Sequence, residues 1–122
     1  LFKVNTYSFY IVLTLSSLFN WDTIIARYNF AHADKSFLEL EFMASLSDKS
    51  LPYLDKSLEE LKGIDVVQEE KFAFARDYMS PEAYRNVIEY RKMRFISTWE
   101  KTSILEWNLP EYLAYRALKA AP

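Results

Sequence analysis

Apolar residues crowd the first part of the chain without leaving a polar face. Tyr7, Phe9, Tyr10, Ile11, Val12, Leu13, Leu15, Leu18 and Phe19 form a run that stops abruptly at Asn20-Trp21-Asp22. A helix that is apolar all round belongs in lipid or deep in a core, and in such a helix the hydroxyls of Ser8, Thr14, Ser16 and Ser17 can bond back to the preceding turn. Asn20 is a good N-cap, and Asp22 complements the positive end of a new helix, so a kink or break is expected at Asn20. Beyond it Trp21, Ile24, Ile25 and Tyr28 recur at helical spacing while Thr23, Arg27 and Asn29 take other faces, the pattern of an amphipathic helix.

The remaining pattern predicts further helices. Leu38, Phe42 and Leu46 mark one edge of a helix over 37–46, and Ser47-Asp48-Lys49-Ser50 interrupts it. Leu51, Leu54, Leu58 and Leu61 predict a helix over 51–62, with Pro52 tolerated in its first turn and Gly63 ending it as a left-handed residue. Ile64-Asp65-Val66-Val67 reads as a brief extended piece, and Glu69 to Met79 as a short helix with Phe72, Phe74, Ala75, Tyr78 and Met79 as its apolar members. Ser80-Pro81-Glu82 opens a long helix to about Ile104, with Tyr84, Val87, Ile88, Phe95 and Trp99 on one face and Arg91 snorkelling among them. Asn108-Leu109-Pro110-Glu111 opens a last helix carrying Tyr112, Leu113, Tyr115, Arg116 and Leu118. The fold class is therefore all-α, a bundle of about six helices, the first of them a half-span or a core helix. No fixed period links the helices as a solenoid requires.

Composition narrows the function classes. With 122 residues the chain suits one core, and 51% apolar residues with a single Gly and four Pro argue for packed helices. A net charge of −2 with interspersed signs provides no basic face for a row of phosphates, so nucleic acid is excluded as a partner. The absence of Cys removes thiolate metal sites and a Cys nucleophile. The run from Tyr7 to Phe19 is shorter than the ~20 residues of a full span. In a chain that opens on Leu1 rather than Met, it reads as the end of something longer.

Candidate chemistry is sparse. Asn20, Trp21, Asp22, Arg27 and Asn29 gather polar groups just after the apolar run and are the candidate junction residues, Trp21 being the one suited to a membrane interface. Trp99 and Trp107 are read as packing residues. His32 is the only His, and no metal-ligand spacing surrounds it. The carboxylates of Glu39, Glu41, Glu59, Glu60, Glu69 and Glu70 read as solvated faces, and so do Arg85, Lys92 and Arg94. No catalytic residue, metal or cofactor is assigned.

Three stretches carry a family resemblance: Asn20-Trp21-Asp22-Thr23-Ile24-Ile25-Ala26-Arg27-Tyr28-Asn29, Leu38 to Ser47, and Leu51-Pro52-Tyr53-Leu54. They resemble the C-terminal part of bacterial multi-spanning membrane proteins grouped as domain of unknown function 4173 and its relative 4153. That pattern has Asn-x-Asp, Ile-Ala-x-x-Asn and a Leu-Asp-x-x-Tyr-Leu-x-x-Leu-Ser stretch. Trp107-Asn108-Leu109 with Tyr112 and Ala114 is similar to its terminal segment. The chain departs from it at Trp21, Glu39 and Phe42. The resemblance implies that residues 1–19 end a transmembrane helix in the bacterial inner (cytoplasmic) membrane and that 20–122 form a helical tail, whose side of the membrane stays open with the cytoplasmic one slightly favoured. It implies a non-catalytic module whose partners are the lipid bilayer and a protein or second copy of the chain. A soluble helical adaptor is the alternative, and a hydrolase or transferase fragment using His32 a second one. Lys3, Arg27 and Lys35 are too few to fix an orientation by the positive-inside rule.

Overall fold

The computed structural model describes residues 2–73, 79–103 and 106–121, the side chains of Ser17 and Leu18 aside. Among them the chain forms α1 (Phe2–Leu18), α2 (Trp21–Ala31), α3 (Leu40–Ser45), a 3-10 turn (Asp48–Ser50), α4 (Leu51–Leu54), α5 (Leu58–Lys71), α6 (Pro81–Trp99) and α7 (Leu109–Ala120). The fold is all-α.

Side-chain caps mark the starts of the longer helices after α1. Asn20 accepts the amide of Thr23, Ser80 that of Ala83 and Asn108 that of Glu111, each satisfying a donor that the first turn leaves open. Pro81 and Pro110 sit in first turns, where a missing N–H costs nothing. α6 stops at Trp99, short of the expected end; Ile104 lies outside the described residues.

The stretch from 51 to 71 differs from its sequence reading. Instead of one helix ended by Gly63, α4 stops at Leu54 after a single turn, and α5 starts at Leu58 and runs through Gly63 to Lys71. A capping box causes the restart: Ser57 Oγ accepts the Glu60 amide at 3.2 Å while Glu60 Oε2 accepts the Ser57 amide at 3.1 Å. No described residue has positive φ, so Gly63 is an ordinary helical residue, and Ile64 to Val67 are helical too. Glu69 to Lys71 are the end of α5, capped at Phe72, rather than the start of a new helix. Phe74, Ala75 and Tyr78 fall outside the described residues. On α3 the buried edge is formed by Leu40 and Met43, and Phe42 is turned outward at 46% exposure.

The core runs from Ala26 on α2 to Leu118 on α7. Met43, Leu51, Leu54, Leu61, Tyr84 and Ile88 are fully enclosed at its centre, each aliphatic member contributing about 1.5–3 kcal/mol relative to exposure. Burial pushes the Tyr84 phenol well above its ordinary pKa, and its hydroxyl donates to the Leu54 carbonyl at 2.9 Å, answering the open end of α4. The described side chains of α1 contribute nothing to this core: every one from Phe2 to Ser16 is exposed, with Phe9, Tyr10, Ile11 and Val12 at 59–62%.

Candidate functional site

Asn20, Trp21 and Asp22 stand between an apolar helix whose side chains from Phe2 to Ser16 are exposed and a helix that belongs to the bundle. The axes of Phe2–Ser16 and Trp21–Ala31 differ by 57° across the break. Trp21 fastens the α1 side: its indole N–H donates to the Ser16 carbonyl at 3.1 Å, and its ring lies 5.6 Å from that of Phe19. With 55% of its surface exposed, Trp21 keeps its ring outside while its N–H is satisfied by backbone. Within α1, Thr6 and Thr14 donate to the carbonyls of Phe2 and Tyr10, which hides their polarity.

Asn20 and Asp22 fasten the bundle side. Asn20 Nδ2 donates to the Lys49 carbonyl at 3.4 Å, and Asp22 Oδ2 accepts the Ser47 amide at 2.9 Å. Ser47, through hydroxyl and backbone amide, holds the Asp22 carboxyl below its ordinary pKa; partial burial opposes this and Lys49 assists it. The residues expected to cap α2 therefore also grip a loop more than twenty positions away.

That loop is held by α6 as well. Arg91 donates through Nε and Nη2 to Asp48 at 3.1 and 2.5 Å, through Nη1 to the Ala44 carbonyl at 2.6 Å, and through Nη2 to the Leu46 carbonyl at 2.6 Å. One planar fork thus satisfies the end of α3 and the entry to the 3-10 turn. The sequence reading left Arg91 snorkelling, since its partners lie 43 or more positions away.

Arg85 and Lys92 are not the solvated stripe expected of them. Both bind Asp55, Lys92 at 2.8 Å, in the gap between α4 and α5, and Arg85 also donates to the Lys56 carbonyl at 2.9 Å. Burial raises the Asp55 pKa, but Lys92 and Arg85 outweigh it and hold the carboxyl below its ordinary value. Arg94 is exposed as expected. Gln68, unremarked in the sequence, is buried and pins the link after α2: its Oε1 accepts the Leu38 amide at 2.9 Å and its Nε2 donates to the carbonyls of Ala33 and Ser36.

The other candidates lie elsewhere. Arg27 sits 5.6 Å over the ring of Tyr53, facing α4. Asn29 offers its backbone carbonyl to the His32 amide at 3.2 Å. His32 closes α2, stacked on Tyr28 at 4.1 Å with Nδ1 at 2.8 Å from the Tyr28 carbonyl. No group of three or more metal-ligating side chains occurs among the described residues. Trp99 is half-buried and packs 6.0 Å from Tyr115. Trp107 departs from the packing role expected of it, being 49% exposed beside Tyr112.

Among the described residues no single helix is long and apolar enough to cross a membrane; the bent pair of α1 and α2 passes that test together, by length and composition. A family model described as "Domain of unknown function (DUF4153)" matches residues 1–57, a stretch that holds α1, the junction, the gripped loop and α4 and ends on the Ser57 cap. No curated protein and no solved structure matches the chain.

Proposed function

We propose that α1 is the end of a membrane helix in a bacterial multi-spanning inner-membrane protein, akin to domains of unknown function 4153 and 4173, and that residues 20–122 are a non-catalytic helical module carried on it. The observation that carries this reading is the exposure of every side chain from Phe2 to Ser16 while the bundle closes without them. An apolar surface of this extent calls for a cover. Helix α2 shares that need only in part: Trp21, Ile24 and Tyr28 are exposed, but Ala26 is fully enclosed, Ile25 and Phe30 pack against the core, and Asp22 and Asn20 bind the helix to the loop, so of the bent pair α1 is the lipid-facing part. Asn20, Trp21, Asp22, Arg27 and Asn29 then mark the membrane-proximal helix of the tail, where the bundle is set at a fixed angle to the bilayer and offers its outer faces to a partner.

The chain has no Cys, so single introduced thiols report without background. With a polarity-sensitive fluorophore on Tyr10→Cys or Val66→Cys in phosphatidylcholine vesicles, position 10 is expected to shift to the blue and to be quenched by acyl-chain quenchers. Position 66, exposed on α5, is expected to stay in water. A water-like signal at position 10, with the protein monodisperse in the absence of detergent, would overturn the reading in favour of a soluble adaptor.

A further inference from the structure

The geometry points to a binding site for an anionic amphiphile, a phosphate head on a single alkyl chain, in two adjoining clefts between α2 and the α4–α5 segment. The first cleft, about 330 Å³, is lined by Arg27, Phe30, Ala31, Pro52, Tyr53 and Lys56. The second, about 340 Å³, shares Phe30 and Lys56 and continues along Ala33, Gly63, Ile64 and Val67, with Asp34 and Glu60 also on its wall. Each reaches the lower end of the range of ligand pockets. Of the candidate junction residues only Arg27 lines either cleft, and no residue of α1 does.

Charge divides the two clefts. The first holds two cations and no carboxylate: Arg27 rests 5.6 Å over the Tyr53 ring and Lys56 5.5 Å over the Phe30 ring. Arg27 has no carboxylate partner among the described residues, and its π contact leaves the guanidinium donors open to an acceptor. Lys56 meets Glu60 at 3.8 Å, with 31% and 57% of their side chains exposed, a pair weak enough to be exchanged for a phosphate. Bidentate recognition of phosphate is what a guanidinium does best. In the second cleft Asp34 and Glu60 repel an anion, whereas Phe30, Ile64 and Val67 offer apolar wall. Gly63 opens the passage, since a Cβ there would meet nothing within 4 Å. A head at Arg27 and Lys56 thus leads a chain over Phe30 toward Gly63.

Gly63 is the only glycine, so glycine-selective ¹⁵N labelling places a single amide reporter in the second cleft. The full chain in neutral dodecyl maltoside, titrated with dodecyl phosphate, is expected to show a saturable shift of this signal. Arg27→Gln is expected to require about tenfold more titrant, the loss of one charge-assisted contact, while its unliganded Gly63 signal stays in place and reports an intact fold. Inorganic phosphate is expected to leave the signal unmoved. An unmoved signal with dodecyl phosphate, an equal midpoint in Arg27→Gln, or saturation by inorganic phosphate alone would each overturn the site. The bilayer reading is tested at position 10 and this one at Gly63, so either fails alone.

Discussion

The carboxylate of Asp22, in the first turn of α2, accepts the backbone amide of Ser47 at 2.9 Å and so joins the helix after the apolar run to the loop before α4. Asp22 therefore does two things: it favours the positive end of its own helix, and it satisfies an amide that opens the 3-10 turn. The depressed pKa fixes the sign of its pH dependence. A group whose folded pKa lies below its unfolded value stabilises fully above the unfolded value, and that contribution is lost as the pH falls through the folded one. Asp22→Ala is expected to lower stability by about 1 kcal/mol at neutral pH, discounted for partial exposure. Denaturant titrations of the two proteins should converge below the usual carboxylate range. A gap that persists unchanged at acid pH would show that the carboxylate charge is not the cause.

Gly63→Ala is expected to stabilise the protein by about 0.5–1 kcal/mol, the helical advantage of Ala over Gly. Gly63 lies inside α5 with φ in the ordinary helical range, and the added Cβ meets nothing within 4 Å. A drop in thermal midpoint would mean that the backbone there needs the freedom that a terminating glycine has, as the sequence first suggests.

Gln68→Leu is expected to cost about 2–3 kcal/mol, because it leaves the Leu38 amide and the carbonyls of Ala33 and Ser36 without their partner inside the protein. Amide exchange at Leu38 should accelerate by more than the global change accounts for. Equal acceleration throughout would indicate loss of packing instead.

What the sequence made legible is what neighbours decide. The caps at Asn20, Ser80 and Asn108 lie within three residues of the amides they satisfy, so their residue types announce the helix starts. The restart at Leu58 was equally local, a Ser57-x-x-Glu60 box, yet the regular spacing of Leu51, Leu54, Leu58 and Leu61 overrode it. The same heptad-like spacing is met by two helices, of which α4 turns Leu51 and Leu54 and α5 turns Leu61 to one core. Arg85, Lys92 and Gln68 were out of reach for a different reason. Their acceptors on other elements are 29 to 37 residues away, and periodicity shows which side of a helix is polar but not which backbone it will meet.

Arg91 on α6 and Asp22 on α2 hold the same loop, and this gives a sharper test than either alone. Arg91→Lys keeps the charge, but an ammonium cannot reach the Asp48 carboxylate and the carbonyls of Ala44 and Leu46 with the geometry of a planar fork. A loss of about 1–2 kcal/mol is expected, more than Arg-to-Lys exchange gives at an exposed pair. Once Arg91 no longer orders residues 44–48, the Ser47 amide is free to leave Asp22, so removing the carboxylate as well should cost less than it does in the native chain. The double variant Asp22→Ala with Arg91→Lys is therefore expected to fall short of the sum of the single losses by about 0.5 kcal/mol or more. Additivity within about 0.3 kcal/mol would mean that the two residues grip the loop independently. In that case the angle of α2 would be set without α6, and a partner bound to the outer face of α6 would have no mechanical route to the apolar helix.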